Sequence, residues 1–270
     1  MREFALKLRC LFLLLLINTT CVSADTYIIG AQNIKYYPHY DFTAENDKGL
    51  GWAILEAFAQ HSGHTFVYLS MPVRRLQMEM LKGNVDFVYP DNSRWYNQIT
   101  KAEEKVFSAP LTATLSVTLS KPSLVGKGID AVTHLGVPFG FTPVAWLQRI
   151  NNNAIKITAL DDVYTGLSLL NTGRINAMDI EYFVSKIVVD RHPSLGKFAV
   201  DLTLPNNIVN FHLSTIKHET LLNELNTFLA ENAPLIDDIK EQYGVHAITE
   251  VIGSFREQQG INENEIWSAL

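Results

Sequence analysis

Cysteine is nearly absent from the chain. The sequence has two cysteines among 270 residues, Cys10 and Cys21, and both lie in the first 24 residues. If this N-terminal segment is removed, the remaining chain has no thiol. Disulfide bonds, thiol catalysis and cysteine-ligated metal sites are then excluded from the folded protein.

Hydrophobic runs long enough to cross a membrane are also missing. The N-terminal run Leu11–Ile17 has seven residues, whereas a transmembrane helix needs about 20. Basic residues precede this run, and Val22-Ser23-Ala24 places small side chains where signal peptidase cleaves. Residues 1–24 are therefore predicted to be a secretory signal peptide. The alternative is an N-terminal membrane anchor, which the short run disfavours.

Basic residues are outnumbered by acidic ones. The whole chain has 22 Lys and Arg residues against 28 Asp and Glu, with a net charge of −6. Residues 1–24 carry three basic residues and one acidic residue, so the mature chain has 19 against 27, or −8. No long basic stripe is present, which argues against nucleic acid as a partner. We expect a soluble, monomeric protein.

The common catalytic motifs are absent as well. The sequence contains no HExxH metal motif, no G-x-S-x-G elbow and no P-loop. Of the eight histidines, only His61 and His64 lie within one helical turn of each other. No spacing singles out two carboxylates as an acid–base pair. We therefore expect a binding protein rather than an enzyme, with no metal ion and no cofactor.

Strands and helices alternate in the first part of the mature chain. Short apolar runs predict strands over Tyr27–Ala31, Thr65–Leu69 and Val85–Tyr89. Apolar residues at helical spacing predict helices over Gly49–Ser62 and Val73–Lys82, and a glycine follows each helix. The order β-α-β-α-β is typical of a parallel sheet covered by helices.

A second unit of the same kind lies between two long extended segments, Ala109–Ser120 and Ile208–Ile216. Helices over Glu219–Glu231 and Pro234–Gln242 are predicted after the return strand, where they need a sheet to cover. The sequence thus predicts an α/β fold with one unit inserted into the other. The elements predicted for the inserted unit are strands at 135–137, 155–158, 175–179 and 198–202, and helices at 143–151, 163–171 and 181–191.

A similar helix–glycine–strand motif occurs in both units. Residues 81–88 read LKGNVDFV and residues 170–177 read LNTGRINA, each running from a helix through glycine into a buried strand. In open α/β sheets, the carboxyl ends of such strands meet a ligand-binding crevice. The polar and aromatic residues after both strands are therefore candidates for ligand contacts.

Six segments carry a family resemblance: YYPHYDF (36–42), GLGWAILEAFAQHSGHTF (49–66), PVRRLQMEMLKGNVDFV (72–88), FSAPL (107–111), LGVPFGFTPVAW (135–146) and LNTGRINAMDIEYF (170–183). In this order they resemble the bacterial extracellular solute-binding proteins of family 3, the periplasmic Venus flytrap receptors of amino-acid uptake. The resemblance implies a type II periplasmic-binding-protein fold, with two α/β lobes and two hinge strands. Lobe one would comprise residues 25–112 and 210–270, and lobe two residues 113–209, closing on the ligand by a hinge motion.

The resemblance also implies a cation in lobe one that clamps the ligand's carboxylate. Family members place an arginine there, whose two parallel N–H donors match a carboxylate. Arg94 is the only arginine of the corresponding loop, and Lys101 matches the position counted back from Phe107-Ser108. Both remain candidates. Arg75, in a segment that resembles the P-x-x-R stretch of some subfamilies, is expected to support the cleft.

In lobe two, the family places an acid five residues after the Asp of a G-x-x-D-A motif, where it receives the ligand's ammonium. Gly173–Ala177 resembles this motif with Asn176 in place of Asp, and the fifth position is Glu181. Gly140-Phe141-Thr142 resembles the turn that binds a carboxylate at a helix N-terminus, and Thr142 keeps its hydroxyl. Glu181 and Thr142 could each instead be a helix cap.

Aromatic rings and one further acid complete the candidate ligand contacts. Rings at a cleft mouth can sandwich a ligand, and cations gain from contact with a π face. Several of these rings could equally fill the lobe surfaces. The candidates on segments expected at the cleft are Tyr37, Tyr40, Tyr89, Asp91, Trp95 and Tyr96.

The resemblance implies capture of a small polar ligand, amino-acid-like or amine-bearing, in the periplasm and its delivery to an ABC transporter permease at the inner membrane. The sequence departs from the family pattern at Phe141 and Glu181, and it has no single arginine at the position that binds the ligand's carboxylate. These departures disfavour a standard α-amino acid as the ligand. One alternative is a ligand-sensing subunit of a membrane signalling receptor. An enzyme on the same fold is less favoured, although the fold alone does not exclude it.

Overall fold

The computed structural model describes residues 24–95, 99–101 and 104–260. Its first part alternates strands and helices as the apolar pattern predicts. The elements are β1 (Thr26–Gln32), α1 (Leu50–Ser62), β2 (Thr65–Met71), α2 (Val73–Lys82), β3 (Phe87–Asp91) and β4 (Val106–Phe107).

The second part repeats this alternation and then returns to the first. Its elements are β5 (Thr112–Ser120), β6 (His134–Pro138), α3 (Leu147–Asn151), β7 (Lys156–Leu160), α4 (Val163–Thr172), β8 (Ala177–Glu181), α5 (Tyr182–Arg191), β9 (Ala199–Val200) and β10 (Asn207–Thr215). The C-terminal helices are α6 (Glu219–Glu231), α7 (Ala233–Gln242) and α8 (Ile248–Gln259).

The strand order is β2-β1-β3-β10-β5-β8-β6-β7. β1 pairs in parallel with β2 and β3, and β6 pairs in parallel with β7 and β8. β10 runs antiparallel to β3 through His212 and Ser214, and antiparallel to β5 over Asn207–Phe211. Two parallel α/β lobes are thus joined by the long strands β5 and β10. The prediction of a two-lobed α/β fold is confirmed.

The repeated helix–glycine–strand motif has the same structural role in each lobe. Gly83 and Gly173 end α2 and α4 in the left-handed conformation, with φ of 75° and 76°, which glycine adopts without strain. Three residues after each glycine, a polar side chain accepts a backbone hydrogen bond from the neighbouring strand. Asp86 accepts from the N–H of Ile28 at 2.8 Å. Asn176 accepts from the N–H of His134 at 2.9 Å.

This arrangement explains why β3 and β8 both begin two residues later than predicted. Val85 and Ile175, which the apolar pattern places at the start of each strand, are buried, yet the described strands begin at Phe87 and Ala177. The chain needs the residues after each glycine to return from the helix to the sheet. The apolar pattern indicates which residues are buried, and in these segments the buried residues begin before the strand.

Two further differences concern helices. The predicted helix at 143–151 begins as a 3-10 turn over Val144–Trp146 and becomes α-helical only at Leu147. Helix α8 was not predicted, and it contacts lobe two. The Phe255 ring lies 5.1 Å from that of Tyr182, and Gln259 donates to the carbonyl of Val200 at 2.9 Å. The lobe boundaries at 112 and 210 remain a prediction.

The apolar core is continuous from one lobe to the other. One cluster of buried residues contains Ile29 and Phe58 of the first lobe together with Leu167 and Ile180 of the second. The two lobes are therefore in contact along their shared boundary. In residues 24–95, 99–101 and 104–260, no helix has both the length and the hydrophobicity needed to span a bilayer.

Asn176→Ala should lower the free energy of unfolding by about 2–3 kcal/mol, the sum of several lost hydrogen bonds. The side chain accepts from the N–H groups of Thr133 and His134 and donates to the carbonyl of Ala131. Asn176→Asp keeps both contacts in which the side chain accepts, so its free energy of unfolding should lie between those of the wild type and Asn176→Ala. Urea unfolding measures these differences, with the exposed Asn223→Ala as control. Equal stability of Asn176→Ala and wild type would contradict this role.

Candidate functional site

The boundary between the lobes, called the seam below, is lined by side chains of both lobes. These come from the turn after β1, from β10, from the loop after β6, from the end of β8 and from the first turn of α5. They are Tyr36, His39, Phe141, Asp179, Glu181, Phe183 and Phe211.

The turn at residues 36–40 fixes His39 at the seam. Tyr36 and Tyr40 exchange two backbone hydrogen bonds, at 2.9 and 3.2 Å. The carbonyls of Pro38 and His39 accept hydrogen bonds from the first two N–H groups of α1, at 2.8 and 3.0 Å. Helix N-termini leave such N–H groups without partners. The turn is thus attached to α1, and α1 sets the position of His39.

Glu181 lies opposite His39, at the end of β8. Its Oε2 accepts from the N–H of Val184 at 2.8 Å, which makes Glu181 the N-cap of α5. Its Oε1 accepts from the N–H of Leu115 at 3.2 Å. Nε2 of His39 is 3.0 Å from Oε2, and the side chains of His39 and Glu181 are 0% and 2% exposed. A buried carboxylate of one lobe thus meets a buried imidazole of the other.

The contact between His39 and Glu181 has the distance of an ion pair but not the geometry of a hydrogen bond. Among the described residues, neither ring nitrogen of His39 has a hydrogen-bond partner. An unsatisfied buried polar group is costly, on the order of 1–3 kcal/mol. The imidazole is therefore held at the seam mainly by packing and by the charge of Glu181.

Aromatic rings from both lobes enclose this contact. The ring of His39 lies 6.1 Å from that of Phe183 and 5.7 Å from that of Phe211, both edge-on. Tyr36 of the first lobe packs against Phe141 of the second, with ring centroids 5.2 Å apart. These rings exclude water from the carboxylate, and exclusion of water strengthens electrostatic interactions at the seam.

A second carboxylate, Asp179, lies on the same face of β8 as Glu181, since side chains two apart in a strand share a face. Part of the residue remains accessible, but burial of the carboxyl group raises its pKa to about 6, with partial compensation from the Ser116 hydroxyl at 3.0 Å. No basic side chain in the described part of the chain forms an ion pair with Asp179. Asp179 and Glu181 form what we call the acidic face of lobe two.

The hydroxyl group of Tyr36 lies close enough to both carboxylates of the acidic face to be affected by their charge. Burial raises the pKa of its hydroxyl well above the usual value, and the nearby carboxylates of Glu181 and Asp179 raise it further. The phenol therefore stays protonated and available as a donor. With two carboxylates and a neutral phenol, the seam favours a positively charged group.

The predicted tyrosines occupy different environments. Tyr40 is buried next to the seam, where it donates to Oε1 of Gln32 at 3.0 Å. Tyr89 is buried in the core beneath α1, so close that a Cβ on Gly51 would lie 1.9 Å from its hydroxyl. Tyr37 lies at the rim, with the guanidinium of Arg191 of the second lobe 5.4 Å from its ring centroid. Tyr37 thus contacts the second lobe, Tyr40 packs against Tyr36 and Phe211 of the seam, and Tyr89 belongs to the core.

The two predicted carboxylate-binding cations, Arg94 and Lys101, are exposed, and so is Arg75, which was predicted to support the cleft. The Arg75 side chain is 67% exposed, with one 4.0 Å contact to Glu79. Asp91, another predicted ligand contact, is instead buried in an ion pair with Lys105 at 2.7 Å. None of the three exposed cations has a described contact with the acidic face.

The remaining candidates differ in their distance from the seam. The Trp95 ring lies edge-on to that of Phe211, 5.7 Å away, and so adjoins the seam. Thr142 is exposed, and its backbone carbonyl accepts from the N–H of Val144 at 2.8 Å, ahead of the 3-10 turn. Tyr96 lies outside the described residues.

Sequence reasoning missed Tyr36, His39, Asp179 and the buried cation Lys105. A signal for the first two was present, because residues 36, 39 and 40 have the i, i+3, i+4 spacing of side chains that share one face of a helical turn. For Asp179, the signal was its spacing of two from Glu181 along a strand. Lys105 carried no signal, since a lysine in a loop reads as a solvated cation.

A metal site needs several ligating side chains close together. The described residues contain no group of three or more His, Cys, Asp or Glu side chains that could hold a metal ion. The arrangement can instead hold a ligand through charge, hydrogen bonds and aromatic contacts from two bodies at once.

No family model and no curated protein matches the sequence. Solved structures match the fold. An ancestral arginine-binding protein bound to arginine has a TM-score of 0.62 and 19% identity, covering 81% of this chain and 97% of the other. An arginine transport periplasmic binding protein from Legionella pneumophila has a TM-score of 0.62 and 15% identity, covering 82% and 100%.

A periplasmic VFT2 domain of BvgS from Bordetella pertussis is similar to the same degree. Its TM-score is 0.61 at 18% identity, covering 81% of this chain and 93% of that domain. At such identities the likeness concerns the fold alone. The chain thus has the two-lobed fold found in amino-acid binding proteins and in a Venus flytrap domain.

Asp179→Asn should stabilise the protein near neutral pH. The folded-state pKa of about 6 lies above the usual value of 3.8, so between pH 4 and 6 the folded state binds more protons than the unfolded state. Stability from this group is therefore lost as pH rises through 6. We expect a gain of about 1–3 kcal/mol in unfolding free energy at pH 7.5, which disappears below pH 4.

Urea unfolding at pH 7.5, 5 and 4 measures this effect, with the exposed Asp238→Asn as the matched control. If Asp179→Asn is no more stable than the wild type at pH 7.5, the carboxyl group is not desolvated in the way described.

Proposed function

We propose that the mature protein is a periplasmic solute-binding protein. It captures a small polar solute, amino-acid-like or amine-bearing, between its lobes and delivers it to an ABC transporter permease. The observation that supports this most strongly is the pairing of His39 with Glu181, which shows that buried polar side chains from both lobes converge at one point. A solute bound at that point touches both lobes and so can favour the closed arrangement over the open one.

The fold comparisons support the same proposal. An arginine-binding protein and an arginine transport periplasmic binding protein share the fold over most of their length. These similar proteins bind solutes, which agrees with a chain that lacks common catalytic motifs. Residues 1–24 have the composition of an export signal, which agrees with action outside the cytoplasm.

Within the proposed site, Glu181 receives a positively charged group of the solute, and Asp179 adds negative charge beside it. Tyr36, Phe141 and Phe183 supply the enclosing surface, with Tyr37, Tyr40 and Trp95 around it. Arg94, Lys101 and Thr142 can take part only if their exposed segments approach the seam when solute binds. Tyr89, Asp91 and Arg75 support the lobe from a distance.

A second candidate is a sensor subunit that reports its ligand to a membrane receptor. The likeness to a periplasmic VFT2 domain of BvgS favours it specifically. Both functions need the same closure, so the binding site alone does not distinguish them. Deleting the gene separates the two: loss of uptake of a labelled solute supports transport, whereas a changed transcriptional response with normal uptake supports sensing.

The test of solute binding is a thermal-shift screen of the protein from residue 25, followed by calorimetry. The compounds are amino acids, polyamines and small organic acids. A true solute raises the melting temperature by mass action on the folded form. If no compound in these classes shifts it, the proposed function is contradicted for this range of solutes.

Glu181→Gln should weaken binding of an identified solute by about 1.5–3 kcal/mol, or roughly 10–150-fold, because a hydrogen bond to a charged group is lost. The amide oxygen can still cap α5, whereas the Leu115 N–H loses its acceptor, so the melting temperature of the variant is measured together with its affinity. Glu257→Gln, an exposed change on α8, is the matched control. Unchanged affinity in Glu181→Gln would remove Glu181 from the site.

The Arg94→Ala, Lys101→Ala double variant tests the anion side of the site. If either cation holds a solute carboxylate, the double variant should lose its preference for amino acids over the corresponding amines. An unchanged preference would place the carboxylate contact elsewhere.

A further inference from the structure

The side chain of His39 occupies the place at which the solute's cation is proposed to bind. Its Nε2 is 3.0 Å from Oε2 of Glu181, and the imidazole is fully buried. Glu181 already accepts two backbone N–H groups of its own lobe, from Val184 and Leu115. The remaining contact of this carboxylate comes from the opposite lobe, where the imidazole of His39 lies beside Oε2.

The surroundings show that His39 is poorly satisfied in this position. In the described part of the chain, both of its ring nitrogens lack a hydrogen-bond partner, although the residue is 0% exposed. Most buried polar side-chain atoms in folded proteins have a hydrogen-bond partner, so an imidazole with neither nitrogen bonded needs an explanation. The imidazole thus occupies a polar site without forming hydrogen bonds there. A ligand that forms such bonds with Glu181 would replace it.

The charges around His39 favour cationic occupants. Lobe two presents Glu181 and Asp179 of β8, and α5 presents the apolar ring of Phe183. From its own lobe, His39 faces the neutral phenol of Tyr36 and the ring of Phe211 on β10. Arg191 of lobe two contacts the ring of Tyr37 at the rim. The carboxylate of Glu181 thus contacts the imidazole directly, and that of Asp179 lies near the neighbouring Tyr36.

We propose that His39 is an internal occupant of the solute's cation subsite, and that solute binds by displacing it from Glu181. The inference rests on the proposed function. It narrows the solute to an organic cation whose protonated amine or amidine group replaces the imidazole. It also explains how the lobes meet along the seam: His39 supplies to Glu181 the contact that the solute supplies when it binds.

Exchange of this kind has a thermodynamic consequence. The affinity that is measured for the solute is the intrinsic affinity reduced by the competition from His39, as for any site that is only partly available. The internal competitor therefore sets a threshold that only a better-matched cation exceeds, and it discriminates against neutral solutes and anions.

The experiment removes the His39 side chain by mutation and adds free imidazole to the solution. His39→Ala should leave a hole the size of an imidazole beside Glu181, and engineered cavities bind molecules that fit them. The probes are imidazole and the neutral ring 1,2,4-triazole at pH 6, followed by thermal shift and calorimetry. The proteins are the wild type, His39→Ala, the double variant His39→Ala with Glu181→Gln, and His134→Ala as a histidine control away from the seam.

Imidazole should stabilise His39→Ala in a saturable manner and bind it at least tenfold more tightly than triazole. It should have no saturable effect on the wild type or on His134→Ala, and the added Glu181→Gln change should abolish its binding. Equal binding of triazole would show an apolar hole rather than a cation subsite. Binding to none of the proteins, or to all alike, would also overturn the proposal.

His39→Ser provides a second variant should His39→Ala fail to fold. If neither folds while His134→Ala does, His39 is a structural residue and the proposal is overturned. Failure of the proposed function is separate, because it concerns whether the wild type binds any natural solute, and the imidazole measurement needs none.

Discussion

The structure depends on one requirement: the buried carboxylate of Glu181 must have partners. A carboxylate removed from water is costly unless it is paired and hydrogen-bonded. Lobe two supplies two backbone N–H groups, and lobe one supplies His39, 3.0 Å away. Since the third partner comes from the other lobe, Glu181 has this contact only when the lobes are together. We propose that the same carboxylate favours closure and selects the solute between the lobes.

The architecture makes this requirement compatible with movement. β5 and β10 are the long strands shared between the lobes, and β10 pairs with β3 at one end and β5 at the other. β1–β3 form the parallel part of the sheet in one lobe and β6–β8 form it in the other, and each contains the repeated helix–glycine–strand motif. Asp86 and Asn176 secure the two sheets independently. Each lobe can thus remain rigid while the contacts along the seam change.

Much of the fold was predictable because apolar periodicity reports burial, and burial dominates within each lobe. Helix α2 matches its predicted bounds, and the glycine after it ends the helix as expected. The site was less predictable. His39 points to the seam because its turn is hydrogen-bonded to the start of α1, and the partner of Glu181 lies 142 positions away in the sequence. No local pattern encodes such a pairing. Lys105 was missed for the same reason, since its partner Asp91 makes it a buried residue.

The central claim is that the lobes are separate bodies held together across the seam. It is tested most directly by pulsed electron resonance distances between spin labels, one at Gln60 on α1 and one at Gln148 on α3, both exposed. The residues from 25 onward contain no cysteine, so two introduced cysteines give clean labelling. The account predicts one narrow distance in the otherwise unchanged protein and a longer, broader distribution when His39 and Glu181 are both replaced by alanine. The same narrow distance in both proteins would contradict it.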